Sequence, residues 1–139
     1  MPENYPHHVA ETTLQRYYDA FNRKDVKTFV GLLTDDVVHE INQGGIEKGK
    51  EPFRKFMEKM NKCYDEKVEE LVIFVNEKGD HAASEFFIRG KYIATDAGLP
   101  PARGQNYYIR CGTFFELKEG KISRVTTYYN LKEWLEKVK

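Results

Sequence analysis

The sequence has no surplus charge of either sign: 22 Lys and Arg balance 22 Asp and Glu. A general nucleic-acid binder needs excess positive charge to displace phosphate counterions, and the balance argues against that class. It argues equally against an acidic disordered tail. Long hydrophobic runs are also missing; the longest, Leu71–Val75, is far too short to span a bilayer. Residues 1–13, MPENYPHHVAETT, lack the cationic patch and apolar segment of a secretory signal, so a soluble, cytoplasmic protein is expected. Cysteine is scarce: Cys63 and Cys111 have no Cys-x-x-Cys spacing and read as two buried small hydrophobes. The four histidines fall at His7, His8, His39 and His81, and no His-Glu-x-x-His or calcium-loop pattern occurs. The glycines at 44, 45 and 49 lack the Lys-Ser/Thr ending of a phosphate loop. We therefore expect no metal and no cofactor.

What the chain does have is aromatic residues, nine Phe, nine Tyr and Trp134, each of which removes a large area from water on burial. Its 139 residues fit one domain, 1–139. From His8 to Asn22, Leu14, Tyr17, Tyr18 and Phe21 line one helical face. Asp25 is placed to cap a second short helix with Val26, Phe29, Val30 and Leu33 in one stripe. A third helix spans Lys50–Tyr64, with Pro52 in its first turn and Phe53, Phe56, Met57, Met60 and Tyr64 on its apolar face. Between them, Asp36–Ile41 reads as a strand entering a loop at Asn42–Gly49. Strands follow at Glu66–Val75, His81–Thr95, Asn106–Leu117 and Lys121–Tyr129, with turns at Lys78–Asp80 and Lys118–Gly120. Gly90 and Gly112 inside strands suggest bulges or bends. Ala97–Gly104, with two consecutive prolines, is a stiff loop, and Leu131–Val138 is a helix opened by an Asn130/Glu133 capping box. Helices followed by a mostly antiparallel, bent sheet make an α+β arrangement with an open end for a pocket.

The stretches LQRYYDAFNRKDVKTFVGLLTDDVVHEI (14–41), GGIEKGKEPFRKF (44–56) and FFELKEGKISRVTTYYN (114–130) resemble the nuclear transport factor 2-like superfamily, nearest its ketosteroid isomerase-related and SnoaL-like branches. The resemblance implies a cone: three N-terminal helices packed on a strongly bent sheet, with a short C-terminal helix. It also implies a catalytic Tyr on the first helix, matched by Tyr17, a general base at the end of the first strand, and a neutral Asp on a later strand. Counting from Asp35-Asp36 puts the base position on Ile41, and counting back from Glu119-Gly120-Lys121 puts the second carboxyl on Gly112. His39 shares strand parity with Ile41, and Arg110 and Tyr108 share parity with Gly112. Tyr17, His39 and Arg110 are thus the expected catalytic groups: a donor to a carbonyl oxygen, a proton shuttle and an oxyanion-holding charge. Ile41, Phe56, Met60, Phe86, Tyr108, Phe114, Thr127 and Tyr129 are expected to line the substrate pocket.

Three further residues are weaker candidates. Glu40 is adjacent to His39 but on the opposite face. Glu85 shares an outer face with Arg89 and would turn inward only if a bulge at Gly90 reversed the parity. Arg103, in the proline loop, would meet an anionic substrate if that loop were a lid. The expected function is cofactor-free isomerisation by proton transfer on an apolar carbonyl compound; the alternatives are a SnoaL-like cyclase or hydrolase and a non-catalytic ligand-binding or dimerisation module. The expected partners are a small apolar or partly polar organic ligand and, with aromatic residues on both sheet faces, a second copy meeting the outer surface of Val72, Phe87 and Phe115.

Overall fold

The computed structural model describes residues 6–42 and 44–139. Met1–Tyr5, the start of the segment read for a secretory signal, and Gln43, in the loop read over Asn42–Gly49, lie outside the described residues. The elements run α1 Pro6–Arg23, α2 Val26–Gly31, β1 Leu33–Ile41, β2 Ile46–Lys48, α3 Lys50–Cys63, β3 Tyr64–Val75, β4 His81–Tyr92, β5 Gln105–Lys118, β6 Lys121–Tyr129 and α4 Leu131–Val138. Asp25 caps α2 by accepting from the Thr28 backbone N–H at 3.1 Å, and Asn130 caps α4 by accepting from the Glu133 N–H at 3.0 Å. Two boundaries differ from the sequence reading. Leu33, read as part of the second helical stripe, is fully buried at the start of β1, and the loop after β1 contains β2, which pairs antiparallel with it. Tyr64 ends α3 in extended backbone and begins β3 with no turn between.

All six strands form one sheet in the order β2-β1-β6-β5-β4-β3, antiparallel except for the parallel β1–β6 pair. The helix α1 lies across the inner face. Near its start Thr13 donates to the Gly120 carbonyl at 2.6 Å, and at its end Asn22 accepts from the Val68 N–H at 2.7 Å while donating to the Val68 carbonyl. Between these pins Leu14, Tyr17 and Tyr18 pack with Phe29, Phe86 and Phe115 in a single core. Both cysteines are free and buried within it. Among the described residues no helix is long and apolar enough to cross a membrane.

The bulges are not at the strand glycines. β4 and β5 stay in register past both Gly90 and Gly112. The irregularities fall instead between Leu33 and Val38, between Glu116 and Leu117, and between Glu69 and Val72, where Glu70 takes a φ of 53°. That last one flips the alternation of β3: Tyr64, Glu66 and Val68 share the inner face before it, and Leu71, Ile73 and Val75 after it. Gly90 serves another purpose. A Cβ there would stand 2.2 Å from the Tyr107 ring, so the missing side chain is the space the ring occupies. Replacing Gly90 by Ala is therefore expected to lower stability by about 1–3 kcal/mol through overpacking, read as a lower urea midpoint with an unchanged slope.

Candidate functional site

Which residues can meet a ligand inside the cone follows from strand alternation. On β5 the buried positions are Tyr107, Ile109, Cys111, Thr113, Phe115 and Leu117. On β4 they are Ala82, Ser84, Phe86, Ile88, Gly90 and Tyr92. On β1 Val37 and His39 are buried, a parity that Ile41 continues. Thr127 on β6 shares a 3.0 Å hydroxyl contact with inward Thr113, and Tyr129 packs against the core two residues on. Phe56 and Met60 approach from α3, partly buried. Of the expected residues, Tyr17, His39, Ile41, Phe56, Met60, Phe86, Thr127 and Tyr129 thus face the interior.

Arg110, Tyr108 and Phe114 do not. They occupy the opposite β5 parity, on the outer face of the sheet, which corrects their expected roles as oxyanion holder and pocket lining. Arg110 lies over the Phe87 ring at 5.0 Å, Phe87 stacks on Tyr108 at 4.7 Å, and Arg89 covers Tyr108 at 4.5 Å. Four side chains from β4 and β5 so form one cation–aromatic stack. Gly112 is on the outer parity too, so it is not the inward counterpart of the family carboxyl. Phe115, expected on the outer surface, is 1% exposed in the core, and Phe114 stands outside in its place at 50%. Glu85 is exposed on the outer face, since no bulge at Gly90 turns it inward. Glu40 is outer as well, held by Arg124 at 3.1 Å and by the Thr126 hydroxyl at 2.5 Å. Arg103 donates to the Lys139 carbonyl, tying the proline loop to the end of α4.

Tyr17 and His39 face the same interior but are not brought together. Tyr17 packs on Phe29 at 4.3 Å, Phe29 on Phe53 at 5.5 Å, and Phe53 on His39 at 4.1 Å, so two phenylalanine rings stand between phenol and imidazole. Burial raises the Tyr17 phenol pKa, with Tyr18 adding to the effect. Tyr18 is the α1 tyrosine with a polar partner, its hydroxyl 2.5 Å from that of Ser84.

His39 lies parallel to Phe53 and edge-on to Phe56 at 4.6 Å, at 6% exposure. Its Nδ1 is 3.6 Å from Oε1 of Glu47, the residue opposite it on β2, and neither atom makes a hydrogen bond with a described residue. Desolvation holds the imidazole below its ordinary value of 6.5, and Glu47 partly offsets it. The ring is a neutral base with a carboxylate behind it.

A second group of polar side chains was not singled out in the sequence. Glu66 on β3, Gly90 on β4 and Tyr107 on β5 form one row across the sheet. Over the bare Gly90, the Tyr107 hydroxyl donates to Glu66 Oε2 at 2.5 Å. Burial is the largest influence on Glu66 and raises its pKa; the Tyr107 bond and Lys24 act the other way. Its charge is felt by Tyr129 and by Cys111, whose thiol burial pushes up to about 12. Tyr64, Tyr92 and Tyr107 surround Trp134 of α4 at 5.3–6.0 Å. The parity shared with Tyr64 and Val68 was the signal available for Glu66. Among the described residues no cluster of His, Cys, Asp and Glu has a metal-holding arrangement.

Three helices against a curved six-stranded sheet, closed by a short C-terminal helix, define the class as the cone-shaped α+β fold. The SnoaL-like domain profile matches residues 14–125, and the chain belongs to that family, within the nuclear transport factor 2-like superfamily. Three solved structures, each provisionally named a polyketide cyclase, are similar over nearly their whole length. The one from Pseudomonas putida KT2440 is 48% identical, with 94% of this chain and 98% of that one covered, at a TM-score of 0.92. The one from Silicibacter sp. TM1040 is 44% identical, covering 97% and 98%, at 0.93. The one from Xanthomonas campestris pv. campestris is 40% identical, covering 96% and 99%, at 0.93. No match was found among curated proteins.

The His39 environment carries a pH signature. Its folded-state pKa lies below the unfolded one, so the neutral ring is favoured by folding above the ordinary value. That stability is lost as pH falls below about 6.5 and the unfolded chain takes up the proton first. NMR titration should give a midpoint under 6.5 for His39. The His39→Gln variant should lose less stability than the parent between pH 7.5 and 5.5, measured by urea denaturation.

Proposed function

We propose that the protein is a cofactor-free acid–base enzyme that moves a proton on an apolar carbonyl compound, with His39 as the base. The observation that carries this reading is the His39–Glu47 pair: an uncharged imidazole, flat on Phe53, with a carboxylate 3.6 Å behind Nδ1 and no hydrogen bond from either ring nitrogen to a described residue. Closing that gap by roughly half an ångström reaches N–H···O range. Glu47 then holds Nδ1–H and leaves Nε2 as the basic atom.

The chemistry follows from what such a base can do. Nε2 takes a proton from the carbon next to a carbonyl, and the C–H electron pair moves to give an enolate. Returning the proton to another carbon isomerises the compound; attack of the enolate carbon on a second carbonyl closes a ring, the C=O π pair moving to oxygen and the resulting alkoxide taking the proton back from the imidazolium. Isomerase and cyclase thus share the first step, and the relatives provisionally named polyketide cyclases agree with either outcome. The rings of Phe53 and Phe56, at 4.1 and 4.6 Å from the imidazole, suit a hydrocarbon skeleton beside this base. Two free, buried thiols accord with a reducing, cytoplasmic setting.

The direct test is hydrogen exchange next to a carbonyl, followed by proton NMR on 2-tetralone in D2O. The protein is expected to accelerate loss of the α-protons, and His39→Gln to reduce that acceleration about 100-fold or more. A rate equal to buffer alone defeats the enzyme reading.

We propose in addition that the outer face of the sheet joins two copies. Val72, Phe74, Phe114 and Tyr128 are 46–57% exposed there. Some of the charges around them are paired, Glu69 with Arg89 at 2.8 Å and Arg124 with Glu40 and Glu116, while Glu85 and Arg110 lie beside Phe74 and Phe114. Four exposed apolar side chains flanked by charges of both signs suit a self-complementary contact. Sedimentation is expected to give a dimer, and Phe114→Glu to shift it to monomer; a monomeric parent overturns this.

A further inference from the structure

Two small residues open the outer face of the sheet. Phe74, Ala83 and Phe114 pair across β3, β4 and β5 as one row, and Val72, Glu85, Gly112 and Tyr128 form the next row, from β3 to β6. Ala83 thus lies between two exposed phenylalanines, and Gly112 between Glu85 and Tyr128. The result is a hollow of about 350 Å³, walled by Phe74, Glu85, Arg110 and Phe114 over a floor of Ala83 and Gly112. Gly112 differs here from Gly90. A Cβ at Gly90 would strike the Tyr107 ring, whereas one at Gly112 would have only the Ser84 carbonyl near it, at an ordinary 3.6 Å. The space above Gly112 is therefore open to something outside the chain. The hollow also carries one charge of each sign, and neither is neutralised. Glu85 and Arg110 are exposed and make no ion pair among the described residues. They stand on neighbouring strands one row apart, because Glu85 pairs with Gly112 while Arg110 pairs with Phe87. Arg110 directs its guanidinium over the Phe87 ring and leaves Glu85 without a partner.

We infer that Glu85 of one copy pairs with Arg110 of a second across a two-fold axis, twice per dimer. The inference rests on the reading that the outer face joins two copies, and it names the residues that select the partner and fix how it sits. In an isologous contact every pairing occurs in both directions, so a surface with one free carboxylate and one free guanidinium at the same hollow complements itself. The axis then runs midway between the two residues. Carried through the β4–β5 pairing, the same rotation sets Phe87 of one copy over Gly112 of the other, and Tyr108 over Ala83. Each small residue so receives a ring. Charge disfavours the neighbouring placements. Moving the axis one row along the strands presses Glu85 onto Phe114 in one direction, which buries an unpaired carboxylate. In the other direction it sets Arg110 against Arg89, two like charges.

Charge reversal tests the pairing. In sedimentation, Glu85→Arg and Arg110→Glu are each expected to raise the dimer dissociation constant about 100-fold or more, since either homodimer then sets like charges together twice. Mixing the two variants rebuilds both ion pairs in the mixed dimer, which is expected to associate within about tenfold of the parent. The double variant Glu85→Arg/Arg110→Glu should do the same. An ion pair within one chain predicts otherwise for the mixture, because each single variant carries two like charges whatever its partner. Circular dichroism checks that the variants fold. Should a reversal not fold, Glu85→Gln mixed with Arg110→Gln reads the same contact: only their mixed dimer keeps a complete pair, and native mass spectrometry should show it in excess over both homodimers. Unchanged association of either reversal, a mixture as weak as its components, or a merely statistical distribution of the Gln variants overturns the inference and leaves the dimer standing. A monomeric parent removes the dimer reading itself, and this pairing with it.

Discussion

Twelve successive pairs, from His81 with Glu116 to Tyr92 with Gln105, hold β4 and β5 in a single register without a shift. Everything inside the cone depends on this ladder. Because side chains alternate with a period of two, an unbroken register assigns every residue of both strands to one face. A slip of one would carry Glu85, Arg89 and Arg110 into the core and push Phe86, Ile88, Ile109 and Phe115 into water. Burying even one unpaired charge costs more than a typical side-chain contact gains, so the register is fixed by what it keeps out as firmly as by what it buries. The glycines agree with this. Gly90 does not bend the ladder; it makes room above it for a ring that crosses from β5 to β3.

Within that frame the interior divides into chemically different parts. The middle is aromatic and nearly dry, with Tyr17, Phe29, Phe53 and Phe115 in mutual contact, and its hydroxyls are satisfied internally, Tyr18 with Ser84 and Thr113 with Thr127. At one side His39 and Glu47 face each other without bonding, and at the other Glu66 has a single donor. Desolvation drives the two groups in opposite directions, lowering the imidazole and raising the carboxyl, because in each case it disfavours the charged form. The Tyr18 and Thr113 hydroxyls thus have partners within the middle, whereas His39 Nδ1 and the facing Glu47 Oε1 have none among the described residues.

The sequence conveyed the elements and the family, and much less of the geometry. Helix stripes, the Asp25 and Asn130 caps and the hairpin at Lys118–Gly120 depend on short-range chemistry and could be read directly. Tyr108, Arg110 and Phe114 were misplaced by counting back from a turn, which presumes a hairpin of the family's own length; here the register shifts between Glu116 and Leu117. The strand's own alternation had the better information. Arg110, Glu116 and Lys118 share one parity, and charges mark the wet side. Glu66 was hidden for a different reason. The inner face of β3 changes parity at Glu70, a glutamate with positive φ, and nothing in the local sequence announces that a non-glycine residue will adopt such backbone. The contact of Tyr17 with His39 through two intervening rings is tertiary, and parity could not have revealed it.

The misplaced residues are not idle where they are. Arg110, Phe87, Tyr108 and Arg89 stack in sequence on the outer face, and Tyr108 donates to Glu70 at 2.6 Å, the residue whose unusual backbone turns the parity of β3. An exposed cation–aromatic stack contributes little alone, but it spans β4, β5 and the β3 bulge, so it ties the outer surface to the feature that sends Glu66 inward. The same strands therefore serve two environments through one bulge.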